Sequence, residues 1–233
     1  MTVVFAIRCA DGLVLASDTQ ITQSDRGVSF PAAKLHALGD RAAWGGSGAR
    51  AVLEDVEKAF DAGAPEILAA EDISREIRER VRPIFEHHYQ EFIEEIPGHD
   101  NPDATPAAYV LAAGYVRGEP FIVEVTPNNI VGRYEDIGFH AIGGGSPLAQ
   151  QAGAMLAHFR MLERSVDHGV VVAVRVLDTL SSTAPSVGGP FQVFRLHPDG
   201  STLLTDGDLD EARRHVGRWI ELEKEALDRL FDG

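Results

Sequence analysis

A single cysteine, Cys9, stands in 233 residues, so the chain can close no disulfide on itself. That scarcity fits a protein kept in a reducing compartment. Cys9 falls at the end of the first apolar run, where it reads as a small buried hydrophobe. Basic residues are scarce as well, 21 Lys and Arg against 36 Asp and Glu, for a formal net charge of −15. An excess of that sign repels phosphate, which argues against a nucleic-acid groove or an anionic membrane surface as partner. No apolar stretch reaches the length of about 18 residues that a membrane-spanning helix needs. The N-terminus has no basic segment ahead of an apolar one, so no signal peptide is read there, and the expected location is the cytoplasm. Motifs of the G-x-S-x-G and H-E-x-x-H type are missing. What is present is 44% hydrophobic residues, the composition of a folded globular protein. The chain length suits a single domain over residues 1–233, without repeat, low-complexity tract or linker.

The first thirty-four residues carry the chemistry. Thr2 to Ile7 is an apolar run rich in β-branched residues, Asp11-Gly12 signals a tight turn, and Leu13 to Ala16 is a second apolar run. A hairpin built this way returns Asp18 to the side of Thr2. Lys34 enters a further short strand, Lys-Leu-His-Ala-Leu, whose start can reach the same place. Thr2 follows the initiator Met1, so loss of one residue exposes a threonine with a free α-amine. A threonine hydroxyl is a weak nucleophile until a base takes its proton, and an N-terminal threonine carries such a base in its own amine. With a reference pKa of about 7.7–8.0, that amine is partly neutral near pH 7. A neighbouring lysine cation favours the deprotonated nucleophile, and an aspartate holds the lysine in place.

In Thr2, the strand Asp11-Gly-Leu-Val-Leu-Ala-Ser-Asp18, and Lys34, the sequence resembles the proteasome β-subunit family of N-terminal threonine hydrolases, of the bacterial homologue type. The resemblance extends from Thr2 to about Gly200. It implies an α+β fold, a four-layer αββα sandwich, with Thr2 as nucleophile, Lys34 tuning it and Asp18 orienting the lysine. A glycine at a strand-to-helix junction supplies the oxyanion N–H in this family. Gly45, directly after the expected strand Arg41–Trp44, is the candidate, with Gly46 and Gly48 as alternative registers. The implied activity is threonine-type endopeptidase hydrolysis of peptides or unfolded proteins, without metal or organic cofactor. The implied assembly is a homo-oligomeric ring or helix, with an ATPase unfoldase as a partner. A small-molecule amidase on the same scaffold, or a non-catalytic ring or scaffold subunit, are the other functions this pattern admits.

Hydrophobic periodicity fills in the remaining elements. A helix carries Val52, Leu53, Val56 and Phe60; a second, from Asp72, carries Ile73, Ile77, Val81, Ile84, Phe85 and Phe92, with a kink at Pro83. Ile96 to Asp103 reads as a loop. Strands follow over 107–116, 120–125, 128–134 and 138–142. Ser146 and Pro147 open a third helix with the stripe Leu148, Ala152, Met155, Leu156 and Phe159. Ser165 caps a valine-rich segment, 170–180, that periodicity assigns to neither helix nor strand. A hairpin, 191–196 and 201–204, and an acidic helix, 209–230, close the chain. Two sheets with helices outside accommodate that order.

Other polar clusters have plainer explanations. His87, His88 and Glu91 share a helix face, but lack the further Cys or His ligands of a zinc site. Gly143-Gly-Gly-Ser146 precedes a helix without the lysine of a phosphate loop. The sequence also departs from the family. Gly144 stands where a supporting serine is usual, with Ser146 nearby. Ala184 and Val187 stand where an aspartate and a serine flank the threonine amine, with Ser186 one place off. These losses imply a slow enzyme or one of narrow substrate range.

Until Met1 is removed, the Thr2 nitrogen is an amide without a basic lone pair. Protein purified from cells is therefore expected to begin at Thr2, and any fraction retaining Met1 to be inert. Intact mass and labelling by an electrophilic peptide probe, measured on each fraction, check this. Equal labelling of both forms would exclude Thr2 as the nucleophile.

Overall fold

The computed structural model describes residues 2–23, 28–93, 105–155, 157–184 and 187–231. The chain starts with β1 (Val4–Arg8) and β2 (Leu13–Ser17), joined at Asp11-Gly12, where Cys9 N–H donates to Gly12 O at 2.8 Å. A small hairpin, β3 (Gln20–Gln23) with β4 (Val28–Pro31), leads into β5 (Leu35–Leu38) and β6 (Ala42–Gly48). Helices α1 (Arg50–Ala69) and α2 (Ile73–Gln90) follow. Next come β7 (Ala108–Val116), β8 (Glu119–Val125), β9 (Val131–Arg133) and β10 (Phe139–Ile142). Then α3 (Ser146–Met155), two short 3₁₀ turns and α4 (Val166–Thr183) lead to β11 (Gln192–His197). β12 (Gly200–Leu203) and α5 (Asp206–Arg229) complete the described chain.

Among the described residues these strands form two five-stranded sheets, ordered β10-β1-β2-β11-β12 and β5-β6-β7-β8-β9, plus the β3-β4 hairpin. Their burial explains why the strands are apolar on both faces instead of alternating. Val4 and Ala6 of β1 join Leu13 and Leu15 of β2 against Leu35, Ala43, Leu111 and Ile122, a core between the sheets. The intervening Val3, Phe5 and Ile7 turn the other way, onto Val170, Ala173 and Leu177 of α4. On the far side, Trp44, Val110 and Phe121 pack under Val56 and Phe60 of α1 and Ile77 and Val81 of α2. Helices, sheet, sheet and helices make the expected four layers. For β1 and β2, buried on both faces, the period-2 geometry of a strand serves two cores at once.

Several local expectations shift. The valine-rich segment is helical because one face lies on the first sheet; Val174, Val176 and Leu177 are buried there. Ser165 occupies its N-cap position, yet its hydroxyl lies 2.8 Å from His168 Nδ1, and the Val166 N–H is capped by Asp11 Oδ1 at 2.7 Å. The stripe expected on α3 is out of phase: Leu148 and Met155 are 41% and 77% exposed, while Ala149 is buried. Small residues win that face because Gly153 approaches the Phe139 ring too closely for any side chain. Phe159 sits in a separate 3₁₀ turn, stacked edge-on against Trp219 at 5.0 Å, and Leu156 lies outside the described residues. Helix α2 runs through Pro83 and ends at Gln90, ahead of Phe92; the expected loop 96–103 lies outside the described residues, within 94–104.

Cys9 packs against Gly169 of α4, only 3% exposed. Burial first, then the nearby Asp11 charge, push its thiol up to about 12. The thiol is therefore expected to resist a disulfide reagent such as DTNB at about pH 8 in folded protein, since only the thiolate reacts. Guanidinium-unfolded protein should titrate one thiol per chain. Prompt reaction of the folded form would mean that α4 does not stay on β1.

Candidate active site

The β1–β2 hairpin does the first piece of positioning. Its register pairs Val4 with Ser17, so Asp18 emerges beside Val3. Val3 N–H donates to Asp18 Oδ1 at 3.0 Å, and Gln20 N–H donates to Asp18 Oδ2 at 3.1 Å. The Ser17 hydroxyl lies 2.8 Å from both the Val3 and Asp18 carbonyls. Lys34, entering β5 from the other sheet, places Nζ 2.8 Å from the same Asp18 Oδ1 and donates to Gln20 O at 2.7 Å. Asp18 is fully buried and Lys34 is only 6% exposed. The Lys34 ammonium thus sits two hydrogen bonds from the peptide nitrogen that follows Thr2.

Burial lowers the pKa of Lys34, and the Asp18 hydrogen bond and charge act in the opposite direction. A buried charge pair of this kind gains little net stability over an apolar pair, but removing one member strands the other in a low-dielectric site. Its geometry is therefore tightly enforced.

Thr2 is half-buried, and its carbonyl accepts the Gly145 N–H at 3.0 Å. Gly143 adopts φ +90°, in the left-handed region, and a Cβ there would overlap Thr2 O. That same point lies 3.0 Å from Ser47 Oγ, at the end of β6. The turn before α3, with its three glycines, is thus a cradle for the Thr2 main chain, which needs glycine for close approach. Thr2, Asp18 and Lys34 are brought to one place, where the ends of both sheets meet.

The expected position of Gly45 needs correction. Strand β6 does not stop at Trp44 but runs to Gly48, and Gly45 is paired to Leu35 on one side and Leu111 on the other. Ala49 N–H donates to Ala107 O at 2.8 Å, in register with that ladder. Antiparallel pairs alternate between bonded and non-bonded, so the Gly45 N–H faces Leu111 inside the sheet and is spent there. By the same alternation the Gly48 N–H faces away from β7, on the side where β5 has already ended. Gly48 is the residue at the strand-to-helix junction, with φ +125° and no room for a Cβ beside Ala107 O. An oxyanion needs an amide that is not already bonded, which counts against Gly45, paired inside the ladder, and leaves Gly48 as the candidate.

The outer support is apolar. Val187 is buried and faces Gly145, and Ala184 is buried beside it, with Val187 N–H donating to Ala184 O at 3.0 Å. Ser186 lies outside the described residues. Two residues that sequence reasoning did not single out also belong to the site. Gln20 holds Lys34 through its backbone carbonyl, and Gln192 Oε1 accepts the Lys34 and Leu35 amides at 2.7 and 3.1 Å. Gln192 is 158 positions from Lys34, so no local pattern could have linked them. Away from the site, His88 Nε2 lies 3.0 Å from Asp55 Oδ2, tying α2 to α1; among the described residues no group of His, Cys, Asp or Glu is arranged to hold a metal. No helix among them is long and apolar enough to cross a membrane.

Comparison with known proteins bears on the fold and the family. Among curated sequences, proteasome subunit beta 1 of Streptomyces avermitilis is 25% identical over 213 residues, covering 88% of this chain and 70% of that protein. Among solved structures, the helical assembly of the Anbu complex from Pseudomonas aeruginosa matches with a TM-score of 0.74 at 16% identity, over 99% of this chain and 98% of that one. An Anbu (Gly-1) mutant from Hyphomicrobium sp. strain MC1 matches with a TM-score of 0.72 at 16% identity, over 99% of both chains. Anbu, described as an ancestral beta-subunit, from Yersinia bercovieri gives 0.71 at 16% identity, over 96% of both. The family model for the proteasome subunit matches residues 2–195, and on that match, most of its length, the chain belongs to the proteasome subunit family.

Proposed function

We propose that the chain is a threonine-type peptidase subunit of the proteasome β kind, acting through Thr2 once Met1 is removed. The observation that carries this is the buried Lys34–Asp18 pair, 2.8 Å across and placed beside the Thr2 main chain. Structural stability gives no reason to keep such a pair in a site of this kind, since an apolar pair would do as well. Its chemistry does: a lysine cation next to Thr2 lowers the cost of deprotonating the hydroxyl, and Asp18 keeps the cation in place.

The steps are those of acyl transfer. The free amine of Thr2 takes the hydroxyl proton, through water, and Oγ attacks the peptide carbonyl. The developing oxyanion is held by the Gly48 N–H, in place of Gly45. The tetrahedral species collapses to an ester as the amine leaves with the proton, and water releases the acyl group by the reverse route. Val187 faces Gly145 and Ala184 lies beside Val187, so among the described residues these two positions give the amine no polar support, which favours a slow enzyme. The same observation is what supports a non-catalytic scaffold subunit as the second reading.

The substrate in this proposal is a peptide or an unfolded protein, delivered by an ATPase unfoldase. A self-assembled ring or helix of this chain is the proposed particle, because repeated identical contacts either close or continue. The Pseudomonas aeruginosa relative, solved as a helical assembly, supports the second geometry. Native mass measurement should return a large multiple of the 25.2 kDa chain; monomer alone would exclude assembly.

Lys34→Ala should slow labelling of Thr2 by a peptide electrophile by about 10²-fold or more, the scale of a lost acid–base contribution. It should also cost about 3–5 kcal/mol of stability, since it leaves Asp18 buried and unpaired. The double variant Asp18→Asn/Lys34→Met should recover part of that stability without recovering labelling. Parent-rate labelling in either variant would remove Lys34 from the mechanism and leave the scaffold function standing.

A further inference from the structure

Lys34 is anchored at both ends, and only one anchor is accounted for by the Asp18 pair. Its ammonium is held by Asp18 and Gln20 O, yet its main chain stands just ahead of β5, where ladder pairing has not begun. β5 is an edge strand of its sheet. Leu35 pairs with Gly45, whose N–H faces the opposite strand; Leu35 is therefore in a non-bonded pair, and its own N–H points off the edge. The Leu35 amide thus needs an acceptor outside the sheet, and the Lys34 amide shares it. The acceptor is one atom, Gln192 Oε1, at 2.7 Å from Lys34 N and 3.1 Å from Leu35 N.

The position of Gln192 gives this contact its meaning. Gln192 lies on β11 of the other sheet, paired directly with Ser17, the residue before Asp18. Its backbone is therefore set by the same strand that sets the aspartate, while its side chain crosses the gap to hold the lysine backbone. Asp18 fixes where the ammonium goes; Gln192 fixes where the side chain starts. A lysine has a long, flexible stem, so tethering only the tip leaves the rest free to wander.

We infer that Gln192 is a positioning residue for the Thr2 reaction, a cross-sheet strap that sets the Lys34 main chain relative to Asp18. This rests on the Thr2 peptidase function proposed above. Gln192 is itself no catalytic residue, since it acts only through Lys34. Displacing a catalytic group by about 1 Å can cost on the order of 10²-fold in rate, with little effect on substrate affinity when the binding cleft is untouched.

The test uses the full chain and its processed N-terminus. Gln192→Leu keeps the size of the side chain and removes the acceptor; Gln192→Glu keeps the acceptor; Gln192→Asn shortens its reach and replaces the leucine variant should that one not fold. Labelling by a peptide electrophile is split into the inactivation rate and the probe's binding constant, and hydrogen exchange is read at the Lys34 and Leu35 amides. Gln192→Leu is expected to lower the inactivation rate about 10- to 100-fold with binding unchanged and to speed exchange at both amides, and Gln192→Glu to restore both readouts. A parent inactivation rate in Gln192→Leu, or unchanged exchange, overturns the inference. Should the parent protein label not at all, the peptidase function fails, and exchange alone then decides whether the strap exists: acceleration in Gln192→Leu supports it and equal exchange overturns it.

Discussion

The structure depends on one buried ion pair that joins two sheets. Asp18 ends β2 in the first sheet and Lys34 precedes β5 in the second, and their contact crosses the boundary between them. Neither charge can be left alone in that environment, so the pair fixes the relative placement of the two sheet ends. Around it the carboxylate is well satisfied: it accepts from the Val3 and Gln20 amides as well as from the ammonium. The site is thus a consequence of how the sandwich closes, and not an addition to its surface.

The layered core makes that closure reproducible. β1 and β2 are buried on both faces, one row of side chains meeting the opposite sheet and the other meeting α4. A one-residue slip in their register would exchange the two rows. Val4 would then face a helix and Phe5 the sheet interface, and Asp18 would leave the level of Val3. Tight packing on both faces therefore protects the register, and the register carries the chemistry. Helix α5 braces the outside of α4 through Arg175, bidentate to Glu223 at 2.9 and 2.6 Å and stacked 3.8 Å over Trp219.

Close backbone approach governs the other half of the site. The glycine turn ahead of α3 lies against the Thr2 carbonyl, and Gly48 lies against Ala107. Both adopt φ values that side chains disfavour, and both would meet backbone atoms, which cannot move aside. Membership of the proteasome subunit family and the fold shared with Anbu proteins account for this framework. At Ala184 and Val187 the surroundings are apolar.

The sequence by itself determined the first hairpin, most of the element order but not the β3–β4 hairpin, and the choice of Thr2, Asp18 and Lys34 as candidates, because turn chemistry and strand patterning are local and the motif spacing is short. It also gave apolar residues at Ala184 and Val187, where the family resemblance implies polar ones. Tertiary structure decided the rest. The phase of α3 was settled by how closely Gly153 meets Phe139, and the helical state of 166–183 by the sheet beneath it. The strand-to-helix junction, where an oxyanion amide was expected, lies at Gly48 and not at Gly45, because β6 stays paired to β7 through Gly48. Gln192 became visible only when two strands 158 positions apart were brought within hydrogen-bond reach. Local preferences are written in adjacent residues, whereas the direction of an amide and the partner of a side chain exist only once the sheets have met.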